Sequence, residues 1–129
     1  MEEKIKVYNL VSTKSGKPVP NQFVIDKGNE KTFQSYETTI AVYNNRKNKL
    51  LLSEDYKISR TTSKYFWKFF LENVYGNQPE KAKFDKLDSQ YPLLFLDDPE
   101  KSRKLFKGLA PIEVFETMKK DGRIVMTNF

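Results

Sequence analysis

The sequence predicts an α+β domain: an antiparallel sheet of about four or five strands, drawn from the N-terminal half and a C-terminal strand, packed by an aromatic helix and two or three further helices. Three observations carry this expectation. Short apolar runs punctuated by Gly, Pro and Asn fill the first half. After Ser59 the apolar spacing changes from strand-like to helical. Three later segments open with proline at a first helical position, where its missing N–H costs nothing. At 129 residues the chain is expected to form one domain spanning residues 1–129.

Taken in order, residues 4–11 (KIKVYNLV) read as a strand in which Ile5, Val7 and Tyr8 can pack. The next ten residues read as a loop, because Gly16, Pro18 and Pro20 interrupt a ladder. Residues 22–27 form a second strand closed by a turn at Lys27, Gly28 and Asn29. Residues 31–43 read as one long strand, bent or bulged near Ser35 because the alternation breaks at Tyr36. A polar hairpin loop follows at residues 44–48, and KLLLS resumes the sheet.

In TTSKYFWKFFLENVYG, residues Phe66, Phe69, Phe70 and Val74 share a helical face that Trp67 and Leu71 widen. Thr61 or Thr62 is placed to cap its start, and Gly76 to supply a left-handed residue past its end. Pro79, Pro99 and Pro111 each open a further helical segment, the last one ending at Gly122. Residues 93–96 read as a short buried strand or a helix tail, and RIVMTNF as a last strand.

Composition then excludes chemistry. The chain has no Cys and no His. That removes imidazole acid–base catalysis, Ser-His and Cys-His nucleophiles, ordinary zinc sites and disulfides. No cofactor is expected, and an enzyme is not. The N-terminal MEEKIKV has no signal-like apolar region, and no run approaches the roughly 18 apolar residues of a membrane span. A cytoplasmic location without membrane contact is the expectation. Net charge is +6, and of 23 basic residues only Arg46, Arg60, Arg103 and Arg123 are arginine. Backbone contact is therefore a better fit than reading of base edges, which favours arginine.

The stretch from Gln34 to Asn73 carries a pattern: Ser35 and Tyr36, then Ile40 and Ala41, Leu50 to Leu52, Tyr56, Ser59, Thr61, Thr62, Lys64, Phe70 and Leu71. In this pattern the chain resembles a family of small proteins carried by phages and plasmids of low-GC Gram-positive bacteria. Its tail, KKDGRIVMTNF, is similar to the Gly-containing ending of that family. The resemblance implies a mobile-element origin and attaches no particular activity.

Four groups of residues could bear function. The hydroxyls of Ser59, Thr61 and Thr62 with Lys64 could hold a phosphate at the helix start, although capping explains them more simply. Arg46, Lys47 and Lys49 in the hairpin, with Arg60, Lys64, Tyr65 and Lys68 around the helix, could form a basic stripe with a stacking ring for a partner or a nucleic acid. Asp26 and Asp55 with Lys57 could serve a Mg²⁺-dependent nuclease, a spacing that also arises by chance in a polar turn. Tyr43, Tyr56, Tyr65, Tyr75, Tyr91 and Trp67 exceed what the core obviously needs and could anchor a partner. Oligomeric state has no signature in the chain. The resulting expectation is a binding protein, an inhibitor of a host defence nuclease or ribonucleoprotein of the anti-CRISPR or anti-restriction kind. Its partner would be a host protein or protein–RNA complex. A regulator that contacts a nucleic-acid backbone is the alternative.

Overall fold

A computed structural model describes residues 5–12, 14–79 and 111–129. The fold is α+β. Six strands lie in one sheet in chain order: β1 (Lys6–Val11), β2 (Pro18–Asp26), β3 (Glu30–Ser35), β4 (Thr38–Asn44), β5 (Lys49–Ser53) and β6 (Ile124–Thr127). The first five form an antiparallel meander, whereas β6 runs parallel to β5. The sheet is therefore mixed. A parallel neighbour requires a crossover, which here includes α1 (Arg60–Asn73) and α2 (Pro111–Lys120).

The predicted punctuation forms turns. Gly28 sits at φ 87° and its N–H donates to the Asp26 carboxylate at 2.8 Å. Asn48, at φ 51°, ends the polar loop that joins β4 to β5. Gly122, at φ 85°, follows α2, a position that favours glycine because left-handed backbone is costly for other residues.

Five local expectations are corrected. The long strand at residues 31–43 is two strands, turned at Tyr36 and Glu37, with Ser35 paired to Thr38. The bulge comes on β4, where Ile40 alone falls between Thr39 and Ala41, the partners of Gln34 and Phe33. Pro18 and Pro20 lie inside β2, not in a loop, because pairing with β3 begins only at Gln22 and leaves their missing N–H groups outside that ladder. In β1 it is Leu10 that is buried, while Ile5, Val7 and Tyr8 stay exposed, since an edge strand has a neighbour on one side only. Finally, Ser59 caps α1 by accepting from the Thr62 N–H at 3.0 Å. The helix runs into a 3-10 turn, Tyr75–Asn77, in which Gly76 keeps negative φ.

Both helices help to bury one face of the sheet. Val24, Phe33, Ala41, Tyr43, Leu50, Leu52 and Ile124 meet Phe66, Phe69 and Phe70 of α1 and Val114, Phe115 and Met118 of α2 in one core. Rings dominate it. Tyr56, Phe66, Trp67, Phe70 and Phe115 pack mostly edge to face, with Trp67 and Phe115 centroids 4.9 Å apart and Tyr56 and Phe66 5.2 Å apart. Such pairs add about 0.5–1.5 kcal/mol each to the burial of their area. The segments that begin at Pro79 and Pro99, residues 93–96 and Tyr91 fall wholly or almost wholly outside the described residues.

Candidate functional site

Strand register sets up the first candidate surface. Val7 pairs with Ile25, Ile25 with Thr32, Thr32 with Val42, Val42 with Leu51, and Leu51 with Val125. Their neighbours Val24, Phe33, Tyr43 and Leu50 belong to the helix-covered core. The row therefore lies on the opposite face, because successive strand residues point to opposite sides. It crosses all six strands, a span of about 24 Å at the usual strand spacing. Asn9, Phe23, Gln34 and Thr39 pair as an adjoining row. Neither row contains a charge. Val7 is 63% exposed, Leu51 39% and Val125 42%; Ile25, Thr32 and Val42 are half-buried.

A second candidate is a cavity of about 310 Å³ between the β3–β4 turn and the start of α1. Ser35, Tyr36, Thr38, Ile40, Asp55, Ile58, Ser59 and Thr62 line it. A chain of hydroxyls forms its floor: Ser59 Oγ donates to Thr62 Oγ1 at 3.1 Å, and Thr62 Oγ1 and Ser35 Oγ share a hydrogen at 2.9 Å. An adjoining cavity of about 370 Å³ shares Thr38 and Asp55 and adds Glu37, Thr39, Ser53, Asn128 and Phe129.

The residues proposed from sequence fall in separate places. Arg46 and Lys47 are exposed on the β4–β5 turn and Lys49 begins β5 beside them. Arg46 donates to the Asn29 side-chain oxygen in the amide orientation that satisfies both groups. Arg60 and Lys64 belong to the first turns of α1, which begins past the other end of β5. Lys68 is held 3.1 Å from Glu72. Tyr65 is buried in the core, as are Tyr43, Tyr56, Tyr75 and Trp67. The aromatic surplus among the described residues is thus core material, whereas the rings of Tyr8, Tyr36 and Phe129 are exposed.

Asp26 stands in the row Lys6, Asp26, Lys31, Tyr43, Leu50, near the turn end of the sheet. There burial, together with the Asp26 and Glu72 carboxylates, holds the Tyr8 phenol above its ordinary pKa. Asp55 follows the far end of β5, so the two carboxylates do not meet. Among the described residues no three His, Cys, Asp or Glu side chains group as metal ligands, and no helix is long and apolar enough to cross a membrane. Of the hydroxyls at the α1 start, that of Ser59 caps the helix, and that of Thr62 bonds those of Ser59 and Ser35.

These features define a mixed-sheet α+β domain with one helical layer, one open sheet face crossed by two uncharged rows and bordered by Glu30, Asn44 and Lys49, and a cavity at the helix start. The chain belongs to a family of unknown function (DUF8033), whose pattern matches residues 6–86. That span contains β1 to β5, α1 and every residue lining the first cavity. No curated protein and no solved structure matches the chain.

Proposed function

We propose that the protein works by binding another protein, as a mobile-element-borne inhibitor of a host defence nuclease or ribonucleoprotein. The observation that carries this reading is the uncharged pair of rows on the open sheet face. A solvated strand face is ordinarily polar, and contiguous exposed apolar surface marks an interaction site. In a chain of net charge +6, two rows without a cation cannot neutralise phosphates. The occupant that fits is an apolar, uncharged patch on a protein. Inhibition by such contact needs shape and anchors and no reactive group, in keeping with a chain that lacks His and Cys.

The test is plasmid transformation into a panel of strains, each carrying one defence nuclease or ribonucleoprotein. Expression of the chain is expected to raise transformation in one of them. The double substitution Val7→Lys, Leu51→Lys should abolish the effect while leaving the circular dichroism spectrum unchanged, because both side chains are already exposed. Indifference of every strain, or full activity of the double variant, would count against the reading.

The grouping of Arg46, Lys47 and Lys49 at one turn favours a second reading, a regulator that binds a nucleic-acid backbone. Binding of that kind would weaken steeply with salt and fall in the triple alanine variant. Under the first reading the triple variant still protects.

A further inference from the structure

The cavity at the start of α1 combines features that neither the core nor the open face requires. Ile40, Ile58 and Tyr36 give it apolar walls. Ile58 is 70% exposed and Tyr36 54%, so both present apolar surface at its rim. Tyr36 also holds φ 55°, a left-handed backbone that is rare and costly for a bulky residue. Its N–H donates to the Asn21 carbonyl at 2.6 Å, and its carbonyl accepts from the Gln34 amide at 2.8 Å. Strain held in place by surrounding bonds gathers at working sites. At the mouth, Asp55 borders both cavities and Glu37 borders the second. Both carboxylates are exposed, and among the described residues neither has a cationic partner.

We infer that this cavity receives a lysine or arginine side chain presented by a protein partner. The aliphatic stem lies against Ile40, Ile58 and the Tyr36 ring, and the ammonium or guanidinium head meets Asp55 under the added negative potential of Glu37. The alternatives fit less well. An anion would face Asp55, and the Thr62 N–H at the helix start is already taken by Ser59. A hydrated metal ion would lie against apolar walls, with no group of three ligating side chains among the described residues. A wholly apolar side chain would leave the two carboxylates unused. Long basic side chains suit such a pocket because their stems are apolar and only their tips are charged, and an aromatic face attracts the same tip.

The inference extends the reading of a protein partner, and the two fail separately: the titration below needs no host protein, and the transformation assay is blind to which side chain is bound. The probes are N-acetyl-lysine methylamide and N-acetyl-arginine methylamide, titrated into the ¹⁵N-labelled chain and followed by ¹H–¹⁵N correlation spectra. N-acetyl-norleucine methylamide serves as the uncharged isostere and butylamine as the free amine.

Saturable shifts are expected at the amides of Tyr36, Thr38, Ile58 and Thr62 with the two cationic probes. Asp55→Asn should weaken them about tenfold, the scale of one charge-assisted hydrogen bond. Ile58→Ser should weaken them too, and since Ile58 is exposed this second variant folds whatever becomes of the first. The inference is overturned if no saturable shift appears, if norleucine acts as well as lysine, if Asp55→Asn binds unchanged, or if butylamine matches the lysine probe.

Discussion

The two faces of the sheet alternate residue by residue along the same six strands and yet meet different fates. On the covered face Val24, Phe33, Tyr43, Leu50 and Leu52 are packed against aromatic helices and lose all contact with water. On the other, Ile25, Thr32, Val42 and Leu51 are of similar character but keep part of their surface exposed. The difference teaches that hydrophobic patterning alone does not say which face becomes the core. The covered face is decided by the large rings that α1 and α2 bring to it, whereas the open face sets Ile25, Val42 and Leu51 beside the polar but uncharged Asn9, Gln34 and Thr39.

The sharpest way to break this comparison is to truncate one residue on each side. Phe66 contacts the rings of Tyr56, Trp67, Phe70 and Phe115, so Phe66→Ala opens a cavity at the centre of the helical layer. A loss of about 3–5 kcal/mol is expected in urea unfolding. Leu51→Ala, on the open face, is expected to cost less than about 1 kcal/mol, because much of its side chain is already in water. Equal losses would mean that the open face is packed in the isolated chain, and the contrast would disappear.

A smaller effect of opposite sign sharpens the same contrast. Gln22 is fully buried on the covered face, opposite Ser35, and neither of its amide atoms has a hydrogen-bond partner among the described residues. An unpaired buried amide forfeits its hydration without return. Gln22→Leu, close in size and apolar, should therefore raise stability by about 1 kcal/mol. A fall in the urea midpoint would instead show that the amide is satisfied in solution.

Much of the framework was legible because turns and helix ends are written locally. Gly28, the Asn44–Asn48 loop, Pro111 and Gly122 each stand where the backbone changes direction. The turn at Tyr36 and Glu37 was hidden because neither residue is a turn former; a long-range bond to the Asn21 carbonyl and a local one from the Gln34 side chain hold Tyr36 in place. The open-face row could not be read from the chain, since it exists only through register across six strands. The cavity is equally non-local: its floor joins Ser35 to Thr62, 27 residues apart. Five of its lining residues, Ser35, Tyr36, Ile40, Ser59 and Thr62, were visible as parts of a recurring pattern. What the pattern could not convey is that they share one hollow with Asp55 and Ile58.

The smallest predicted effect concerns the polar seal at the turn end of the covered layer. Asp121 grips Arg123 through Nε at 2.8 and 2.9 Å and through Nη2 at 2.7 Å. Arg123 Nη1 donates to Gln78 Oε1 at 2.8 Å, and Gln78 Nε2 donates to Asn48 Oδ1 at 2.7 Å and to the Val74 carbonyl at 2.9 Å. The hydrogen bond from Arg123 holds the Asp121 carboxyl below the usual carboxylate range. A carboxyl whose pKa is lower folded than unfolded stabilises the fold above its unfolded pKa, about 3.9, and that contribution fades as pH falls through the folded value. Asp121→Asn should therefore lower the urea midpoint slightly and by a constant amount near neutrality, with the gap to wild type closing only below about pH 4. Because Asp121 is exposed, solvent keeps this effect well below that of Phe66→Ala. A gap that does not narrow at all as pH falls below about 4 would assign the loss to altered packing around Gln78 and not to the carboxylate.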